Sequence, residues 1–297
     1  MGDADPVDRS GTTVADAVSV RSNLLLRIGS ALVLAPLALA ATYFGGLAFA
    51  LFWGLAAIAV LWEWIALVAG PNHRMMCSAC GAAIAIAGLV AWRGRPLAAV
   101  LLVGLGALAG AIFAPGARRG WIMGGIGYAG VMLMAPLLLR ADDIFGFLAM
   151  LLLFAVVWST DIFGYFAGRA IGGPKLMPSV SPKKTWSGAI AGAFGATLFA
   201  AISTPLVNKF YPHLADRFDP TVIAILAFAL SIVSQLGDLF ESWIKRRFGA
   251  KDASQLIPGH GGVMDRLDGF WAAALAGCLI GLARGGFAAP ARGLLLW

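Results

Sequence analysis

Length, composition and charge already separate this chain from ordinary soluble proteins. Of its 297 residues, 60% are hydrophobic and only 12% are charged, whereas a soluble domain carries about a quarter charged residues. That composition excludes a water-soluble globular fold. The net charge of +7 could indicate nucleic-acid binding, but the basic residues lie between apolar stretches, where membrane topology explains them better. We therefore expect no nucleic acid among the partners.

The chain begins with a polar segment, residues 1–23, that carries four aspartates. This segment lacks the short apolar run and small-residue cleavage site of a secretion signal. We expect it to be a mobile cytoplasmic tail ahead of the first membrane span.

Apolar stretches follow one another along the rest of the chain. The first, residues 28–62, holds 35 residues without a charge. As one helix it would be about 50 Å long, too long for a hydrocarbon layer of about 30 Å, so the chain must fold back, and Gly45 and Gly46 mark the turn. Later stretches are residues 75–92, 97–117, 120–139, 144–160, 185–208, 220–237 and 269–283. Unbroken apolar runs are typical of helices and not of barrel strands. The sequence predicts an all-α, polytopic integral membrane protein with about nine transmembrane helices.

The distribution of positive charge predicts the orientation. With nine spans and a cytoplasmic N-terminus, 15 of the 22 Lys and Arg residues lie in cytoplasmic segments and 7 on the other side, in agreement with the positive-inside rule. Residues 24–140 then form N-terminal transmembrane helices. Residues 141–297 form a C-terminal transmembrane region whose two long polar loops, residues 168–185 and 245–268, face the cytoplasm together and can build one site.

Residues 221–248 form a span whose polar residues recur at spacings of three and four, which places most of them on one helix face. They are Ser231, Ser234, Gln235, Asp238, Glu241, Ser242 and Lys245. An acidic residue at membrane depth costs about 3 kcal/mol and normally faces a cavity, a partner or an ion. Asp238 is therefore a candidate site residue, with an ion pair to Arg169 or Lys184 as the alternative. Asp161, at the end of the sixth span, is either a helix N-cap or a metal ligand.

The loop after this span combines glycines, cations and carboxylates. It contains Lys251-Asp252, Pro258-Gly259-His260-Gly261-Gly262 and Asp265-Arg266-Leu267-Asp268. Glycines let backbone N–H groups approach a phosphate, cations neutralise its charge, and carboxylates suit Mg²⁺. The loop therefore predicts a nucleoside triphosphate site, because a merely solvated basic loop does not explain the small residues and aspartates among the cations.

Other charged residues have simpler explanations. Lys183 and Lys184, within Ser181-Pro-Lys-Lys-Thr-Trp186, either anchor the next helix at the headgroups or form a second phosphate clamp opposite the glycine-rich loop. Glu63 and the Asp142-Asp143 pair have no comparable polar company. We expect these acidic residues to be interfacial charges.

The loop residues also carry a resemblance to a known family. The signature of phosphatidate cytidylyltransferases, also called CDP-diacylglycerol synthases, is similar position for position to Ser242-x-Ile244-Lys245-Arg246-x4-Lys251-Asp252-x-Ser254-x2-Ile257-Pro258-x-His260-Gly261-Gly262-Val263-x-Asp265-Arg266-Leu267-Asp268. Residues 161–188 are similar to the family's other recognisable stretch, although Ser187 stands where an acidic residue is expected. The resemblance covers the chain from about residue 161 to residue 268.

The resemblance implies a homodimeric enzyme of phospholipid biosynthesis in the bacterial inner membrane, which uses Mg²⁺ and converts phosphatidate and CTP to CDP-diacylglycerol and pyrophosphate. It also implies that Asp238 and Asp265 hold the metal. Supporting metal candidates are Glu241, Asp161 and Asp268. The catalytic candidates are Asp238, Asp265, Lys245 and Lys251. The substrate-binding candidates are Lys183, Lys184, Arg246, Gly259, His260, Gly261, Gly262 and Arg266, of which His260 either contacts substrate or has a structural role.

Two other functions remain compatible with parts of the sequence. A transporter or channel would also have many spans with acidic residues inside the membrane, but its charges would line a path across and would not gather in loops at one face. Another CTP-using membrane enzyme, such as a polyprenol kinase or an archaeal-lipid cytidylyltransferase, would differ in the lipid tail.

Overall fold

The computed structural model describes residues 29–30, 32–69, 74–114, 116–212, 217–257, 259 and 261–297. Within these ranges the helices are α1 Leu32–Phe44, α2 Gly46–Ala69, α3 Arg74–Trp92, α4 Pro96–Phe113, α5 Arg119–Leu139, α6 Phe145–Ile171, α7 Trp186–Phe210, α8 Pro220–Arg247, α9 Met264–Gly285 and α10 Pro290–Leu295. An antiparallel hairpin of β1, Lys175–Met177, and β2, Ser181–Thr185, lies between α6 and α7. The predicted tail, residues 1–23, lies outside the described residues.

Seven helices of the described part are long and apolar enough to cross a membrane, namely α2 and α4 to α9. The apolar helices Leu32–Phe44 and Met76–Trp92 are shorter. The prediction of an all-α, polytopic membrane protein is confirmed. The predicted apolar stretches recur as α1 to α9, but length and composition identify seven of them as spans, so the count of nine spans is not confirmed.

The predicted reversal in the first apolar stretch is confirmed. Gly45 and Gly46 have φ values of +61° and +52° and separate α1 from α2. This backbone conformation is open to glycine at little cost. The turn also packs against Arg140, because a Cβ atom on Gly45 would lie 2.8 Å from the guanidinium group. Arg140 Nε donates to the carbonyl of Thr42 at 2.9 Å.

Aromatic side chains join the N-terminal helices to α9. Trp53 of α2 stacks on Phe270 of α9 with ring centroids 4.7 Å apart. Tyr128 of α5 stacks on Trp271 at 4.2 Å, and the Trp271 indole N–H donates to the Tyr128 carbonyl at 2.9 Å. Aromatic pairs of this kind add to the stabilisation from buried area. The N-terminal helices therefore fix the position of α9, the helix that carries Asp265.

Glycines bring α6 and α7 into close contact. A Cβ atom on Gly188 would lie 2.7 Å from the carbonyl oxygen of Gly164, and one on Gly192 would lie 2.8 Å from that of Thr160. Small residues allow helix backbones in membranes to approach in this way. The close crossing holds the C-terminal half of α6, including Asp161, beside the hairpin.

The structure corrects the boundaries of the two predicted loops. Helix α6 runs to Ile171 and α8 to Arg247, while α9 begins at Met264. The first residues of both predicted loops and the last residues of the second therefore belong to helices. Residues 175–185, at the end of the first loop, form the hairpin. Asp161 lies in the interior of α6, so the N-cap alternative for this residue is wrong.

The two loops lie at the same end of the helix bundle. Arg246 Nε, at the end of α8, donates to the carbonyl of Val180 in the hairpin at 3.4 Å. At the opposite end, Arg292 of α10 forms a 2.9 Å ion pair with Asp142, which precedes α6. The arrangement agrees with the expectation that residues 168–185 and 245–268 can contribute to one site.

Candidate active site

A cavity of about 690 Å³ lies between α6, α7, α8 and the hairpin. It is lined by four cations, Arg169, Lys175, Lys183 and Lys184, and by two carboxylates, Asp161 and Asp238. The polar side chains of Thr160, Tyr165, Thr185, Ser234 and Gln235 also line the cavity. Cationic donors bind phosphate oxygens through short, charge-assisted hydrogen bonds. The cavity therefore suits an anionic ligand, and its carboxylates suit a hard cation bound with it.

Asp238 and Lys184 form an ion pair in the cavity wall, between Oδ2 and Nζ. Their side chains are 29% and 28% exposed, so a ligand can reach both. Ser242 Oγ donates to the other oxygen, Asp238 Oδ1, at 3.4 Å. Asp238 thus has one of the two cation partners considered for it and also faces the cavity. The ion pair and a role in the site are compatible.

The polar face predicted for α8 is turned toward neighbouring helices. The hydroxyl groups of Ser231 and Thr160 are 2.6 Å apart, and the Gln235 amide donates to the Ala189 carbonyl at 3.2 Å. Ser231 and Ser234 are buried. Hydrogen bonds of this kind satisfy polar groups that would otherwise face hydrocarbon. They fix α8 against α6 and α7, the other two helices that line the cavity.

A second charged group joins α8 to the first turn of α9. Lys245 Nζ lies 2.7 Å from Glu241 Oε2 and 2.5 Å from Asp265 Oδ1. The Glu241 side chain is fully buried, and apart from the Lys245 contact its oxygens accept no hydrogen bond within the described residues. A buried carboxylate requires compensating charge or donors. Lys245 therefore supplies the compensating charge for the buried Glu241 carboxylate.

The glycine-rich loop wraps around Asp265. Asp265 Oδ2 accepts the backbone N–H of Ala253 at 2.9 Å and that of Gly262 at 2.7 Å. Gly261 has φ of +85°, and a Cβ atom there would lie 2.8 Å from the same oxygen. The Gly261 N–H donates to the Ile257 carbonyl at 3.2 Å. In this structure protein acceptors occupy the N–H groups of both Gly261 and Gly262, and the contact of these glycines with phosphate stays a prediction.

Glu63 of α2 is part of this site, and its interpretation as an interfacial charge is wrong. Its side chain is fully buried. Oε1 accepts the Ser254 hydroxyl at 2.6 Å and the Val263 N–H at 2.8 Å, while Oε2 accepts the Met264 N–H at 2.7 Å. One signal in the sequence pointed to this role, because an acidic residue inside an apolar span is a functional candidate by default.

The predicted cations occupy different environments. Lys183 is exposed and lines the cavity beside Lys184. Lys251 is exposed in the loop and does not line the cavity. The Arg246 guanidinium donates to the carbonyls of Val180 and Ala250 at 3.4 and 3.3 Å. In this structure, Arg246 therefore joins the hairpin to the glycine-rich loop.

Three further candidates are close in sequence to the first residue of α9. Arg266 is exposed and acts electrostatically on Asp161. Gly259 is partly buried and has φ of +74°, as a tight turn requires. His260 lies outside the described residues, so its predicted contact with substrate stays a prediction.

The five predicted acidic ligands form two neighbouring groups. Asp161, Asp238 and Asp268 interact electrostatically with one another, Asp268 also interacts with Glu241, and Glu241 and Asp265 share Lys245. Within the described residues, no three His, Cys, Asp or Glu side chains converge closely enough to hold an ion by themselves. Mg²⁺ is usually bound by only one or two carboxylates together with substrate phosphates. The groups therefore fit a metal that arrives with a phosphate ligand better than a closed protein site.

Sequence reasoning gave no site role to several residues that line the cavity. Tyr165 is one of them, and its hydroxyl accepts from Arg169 Nη1 at 3.0 Å. The sequence signal for this contact was the spacing of four residues between Tyr165 and Arg169 near the end of α6. Ser187, where an acidic residue was expected, donates to the Gly172 carbonyl at 2.5 Å. This side chain therefore holds the end of α6 to the start of α7.

Comparison with known proteins now decides the family. Residues 25–280 match the cytidylyltransferase family. The chain belongs to the cytidylyltransferase family. The family resemblance seen in residues 161–268 is confirmed, and the family match also includes the N-terminal helices.

Relatives of this cytidylyltransferase family member carry a more specific name. A phosphatidate cytidylyltransferase of Brucella abortus (strain 2308) is 45% identical over 256 residues, which cover 85% of this chain and 91% of the relative. A phosphatidate cytidylyltransferase of Haemophilus influenzae is 46% identical over 132 residues, 44% of this chain and 45% of the relative. One of Rickettsia bellii is 44% identical over 118 residues, 40% of this chain and 51% of the relative. The prediction of a nucleotidyltransferase enzyme is confirmed.

Proposed function

We propose that this enzyme transfers the cytidylyl group of CTP to phosphatidate and releases CDP-diacylglycerol and pyrophosphate. A phosphate oxygen of phosphatidate forms a bond to the α-phosphorus of CTP. The bond from that phosphorus to the oxygen bridging to the β-phosphate breaks, and pyrophosphate leaves with the electron pair. The observation that carries the proposal is the cavity lined by four cations and by Asp161 and Asp238 at one end of apolar helices.

Charge repulsion is the main barrier to this reaction. A phosphate monoester has a second pKa of about 6, so phosphatidate is mostly a dianion near neutral pH and needs no general base. Its attack on CTP brings two anions together. Positioning and charge neutralisation therefore carry most of the catalysis, as in phosphoryl transfer generally. Lys183 and Lys184, beside Arg169 and Lys175, supply the positive charge in the cavity.

The residues present fit Mg²⁺, for which we propose Asp238 and Asp265 as principal ligands, with Asp161, Glu241 and Asp268 in support. Asp238 is reachable from the cavity, and within the described residues the buried Glu241 oxygens have no polar contact besides the one with Lys245. When bound, Mg²⁺ supplies positive charge to the phosphate oxygens. Lys245 keeps the carboxylates of Glu241 and Asp265 close together, since it contacts both.

The cations of the glycine-rich loop complete the proposed substrate site. Lys251 and Arg266 are exposed and flank Gly259 and His260 in the sequence, and we assign all four to the triphosphate or the pyrophosphate leaving group. Arg246 supports this assignment indirectly, because it joins the hairpin to the loop. A triphosphate placed between hairpin and loop would contact cations from both.

The location of the site suits one soluble and one lipid substrate. Apolar helices surround the cavity, so a diacyl chain can remain in the leaflet while CTP arrives from water. We propose that this end faces the cytoplasm across a bacterial inner membrane, supported by the 15 to 7 distribution of basic residues. We also propose a homodimer and no nucleic-acid partner, as the family resemblance and the membrane topology favour.

The deciding experiment is incubation of the purified protein with labelled CTP, Mg²⁺ and phosphatidate, followed by analysis of the lipid phase. We expect labelled CDP-diacylglycerol and release of pyrophosphate. Parallel incubations test the lipid tail: a polyprenyl phosphate or an archaeal-type ether lipid phosphate with cytidine-labelled CTP, and a polyprenol with CTP labelled on the γ-phosphate, because a polyprenol kinase would transfer that phosphate and release CDP. Label found only in one of those lipids would contradict phosphatidate as substrate, and no label in any lipid would contradict the enzymatic function, as expected for a transporter.

A further inference from the structure

Glu63, a buried acidic residue of α2, holds the glycine-rich loop between α8 and α9 in place. It lies far from the family signature in the sequence. Glu63 lies on α2, 200 residues before Val263 and 201 before Met264, the two residues whose N–H groups it accepts. It is fully buried, and it forms no ion pair within the described residues. An ionised carboxylate in such a position is costly unless donors compensate it. Its three hydrogen bonds are therefore specific requirements of this site.

These bonds supply a missing helix cap. Helix α9 begins at Met264 and has no side-chain cap from its own N-cap residue, Val263. Unpaired N–H groups at a helix start need acceptors, and a negative charge there is favoured by the helix dipole. Glu63 provides both, from a different part of the chain. The first turn of α9, which carries Asp265, is thereby fixed to α2.

The same carboxylate controls the loop that precedes α9. Ser254 donates to Glu63 Oε1 at 2.6 Å. A Cβ atom on Gly262 would lie 2.7 to 2.9 Å from the atoms of the Glu63 carboxyl group, so a larger residue there would displace this carboxylate. The N–H of Gly262 donates at 2.7 Å to Asp265, which in turn contacts Lys245 at 2.5 Å. A continuous series of contacts therefore runs from Glu63 to the proposed metal-binding and catalytic groups.

From these contacts we infer that Glu63 is a positioning residue for the active site, which sets the placement of Asp265 and the glycine-rich loop. This inference rests on the proposed roles of Asp265 and Lys245. It assigns the N-terminal helices a part in catalysis, since α2 then completes a site whose other groups come from α6 to α9 and the hairpin.

The test compares Glu63→Gln with a matched control. Gln keeps the size and one acceptor oxygen, but its amide N–H₂ would oppose one backbone donor. Asp142 accepts the N–H groups of Ile144 and Phe145 at the start of α6, at the opposite end of the bundle. Asp142→Asn therefore weakens a helix start in a similar way without touching the site. Full-length protein is purified in detergent, and melting temperature, kcat, KM for CTP and the Mg²⁺ concentration for half-maximal activity are measured.

We expect both variants to lower the melting temperature, but only Glu63→Gln to change the kinetics. A displacement of about 1 Å in a reacting group can reduce turnover about a hundredfold, so we expect kcat per folded molecule to fall at least about tenfold and the Mg²⁺ requirement to rise. Ser254→Ala removes one of the three bonds and should change the same quantities in the same direction by less. If Glu63→Gln does not fold, the Ser254→Ala variant tests the inference instead. An unchanged Mg²⁺ requirement in Ser254→Ala would then overturn the inference.

Other outcomes are equally decisive. Normal kcat and Mg²⁺ requirement in folded Glu63→Gln would overturn the positioning role, and so would equal kinetic losses in Glu63→Gln and Asp142→Asn. Asp265→Asn, measured in parallel, separates this inference from the proposed function. Normal turnover of Asp265→Asn would contradict the assignment of the site itself, whereas an inactive Asp265→Asn with an unaffected Glu63→Gln would contradict only the role of Glu63.

Discussion

The ammonium group of Lys184 pairs with the carboxylate of Asp238 in the wall of the cavity, and both groups remain about 28% and 29% exposed. Partly exposed ion pairs contribute at most about 1 kcal/mol to stability. The pair therefore has little value as a structural link. It places one cation and one potential metal ligand where a phosphate of the substrate can contact both.

Lys184→Ala should consequently reduce turnover far more than stability. Loss of one electrostatic group that acts on the transition state costs about a hundredfold or more in kcat, while the melting temperature in detergent should change little. Lys183→Ala, which removes an exposed cation that also lines the cavity, should have a smaller effect in the same direction. Lys209→Ala is the control, because Lys209 is exposed near the opposite end of α7. Full turnover in both cavity variants would identify these lysines as headgroup anchors.

The hairpin and the glycine-rich loop should be accessible from the same side of the membrane. Single cysteines at Ser179 and Gln255, both exposed, should react with an impermeant thiol reagent only when the cytoplasmic face is open. A cysteine at Asp143, exposed at the other end of the bundle, should react from the opposite side. The measurement uses a background in which Cys77, Cys80 and Cys278 are replaced. Labelling of positions 179 and 255 from different sides would rule out a single site.

The close contact of α6 and α7 should not tolerate a methyl group. In Gly188→Ala the added Cβ would lie 2.7 Å from the Gly164 carbonyl oxygen, so the helices must separate. Overpacking of this kind typically costs about 1 to 3 kcal/mol, and both helices line the cavity, so we expect a lower melting temperature together with lower activity. Gly127→Ala on α5 is the matched control, because a Cβ there meets nothing within 4 Å. Equal melting temperatures for the two variants would contradict the packing argument.

Periodicity and composition predicted the apolar helices, the turn at Gly45 and Gly46, and the polar face of α8. These features depend on the spacing of nearby residues or on the hydrophobicity of a continuous segment, and both can be read directly from a sequence. The role of Glu63 could not be predicted in this way, since its partners lie about 200 residues away. The hairpin at residues 175–185 was also missed, because two short strands in a polar loop give almost no periodic signal.

For the candidate site, the sequence likewise identified individual residues but not the contacts between them. Asp238, Lys184 and Lys245 were identified from residue type and spacing, and the structure places all three in ion pairs at one end of the bundle. Which groups pair with one another could not be deduced, because it depends on how α8 packs against α9 and the hairpin. The sequence also could not distinguish the roles of the glycines. Gly262 packs against the Glu63 carboxylate, whereas Gly259 has the positive φ of a tight turn.

Asp265→Asn should nearly abolish cytidylyl transfer in a protein that still inserts and purifies normally. Asn keeps the size and one oxygen of Asp but loses the negative charge, so shape is preserved while the interactions with Mg²⁺ and with Lys245 are weakened. Since Mg²⁺ is usually held by one or two carboxylates plus substrate phosphates, raising its concentration should restore activity only in part. Asp238→Asn should behave in the same way.

If Asp265 and Asp238 had only a structural role, Asp265→Asn and Asp238→Asn would differ in melting temperature. Asp265 accepts a 2.5 Å contact from Lys245 and backbone N–H groups from Ala253 and Gly262, so a structural role alone would lower the melting temperature of Asp265→Asn and reduce activity in proportion. Asp238 is more exposed, so its substitution should leave the melting temperature nearly unchanged. Turnover across a Mg²⁺ titration, measured beside a melting curve for each variant, distinguishes the cases. Near-normal turnover with unchanged Mg²⁺ dependence in folded Asp265→Asn would remove Asp265 from the metal site, while the same result in Asp238→Asn would leave the cavity without its proposed principal ligand.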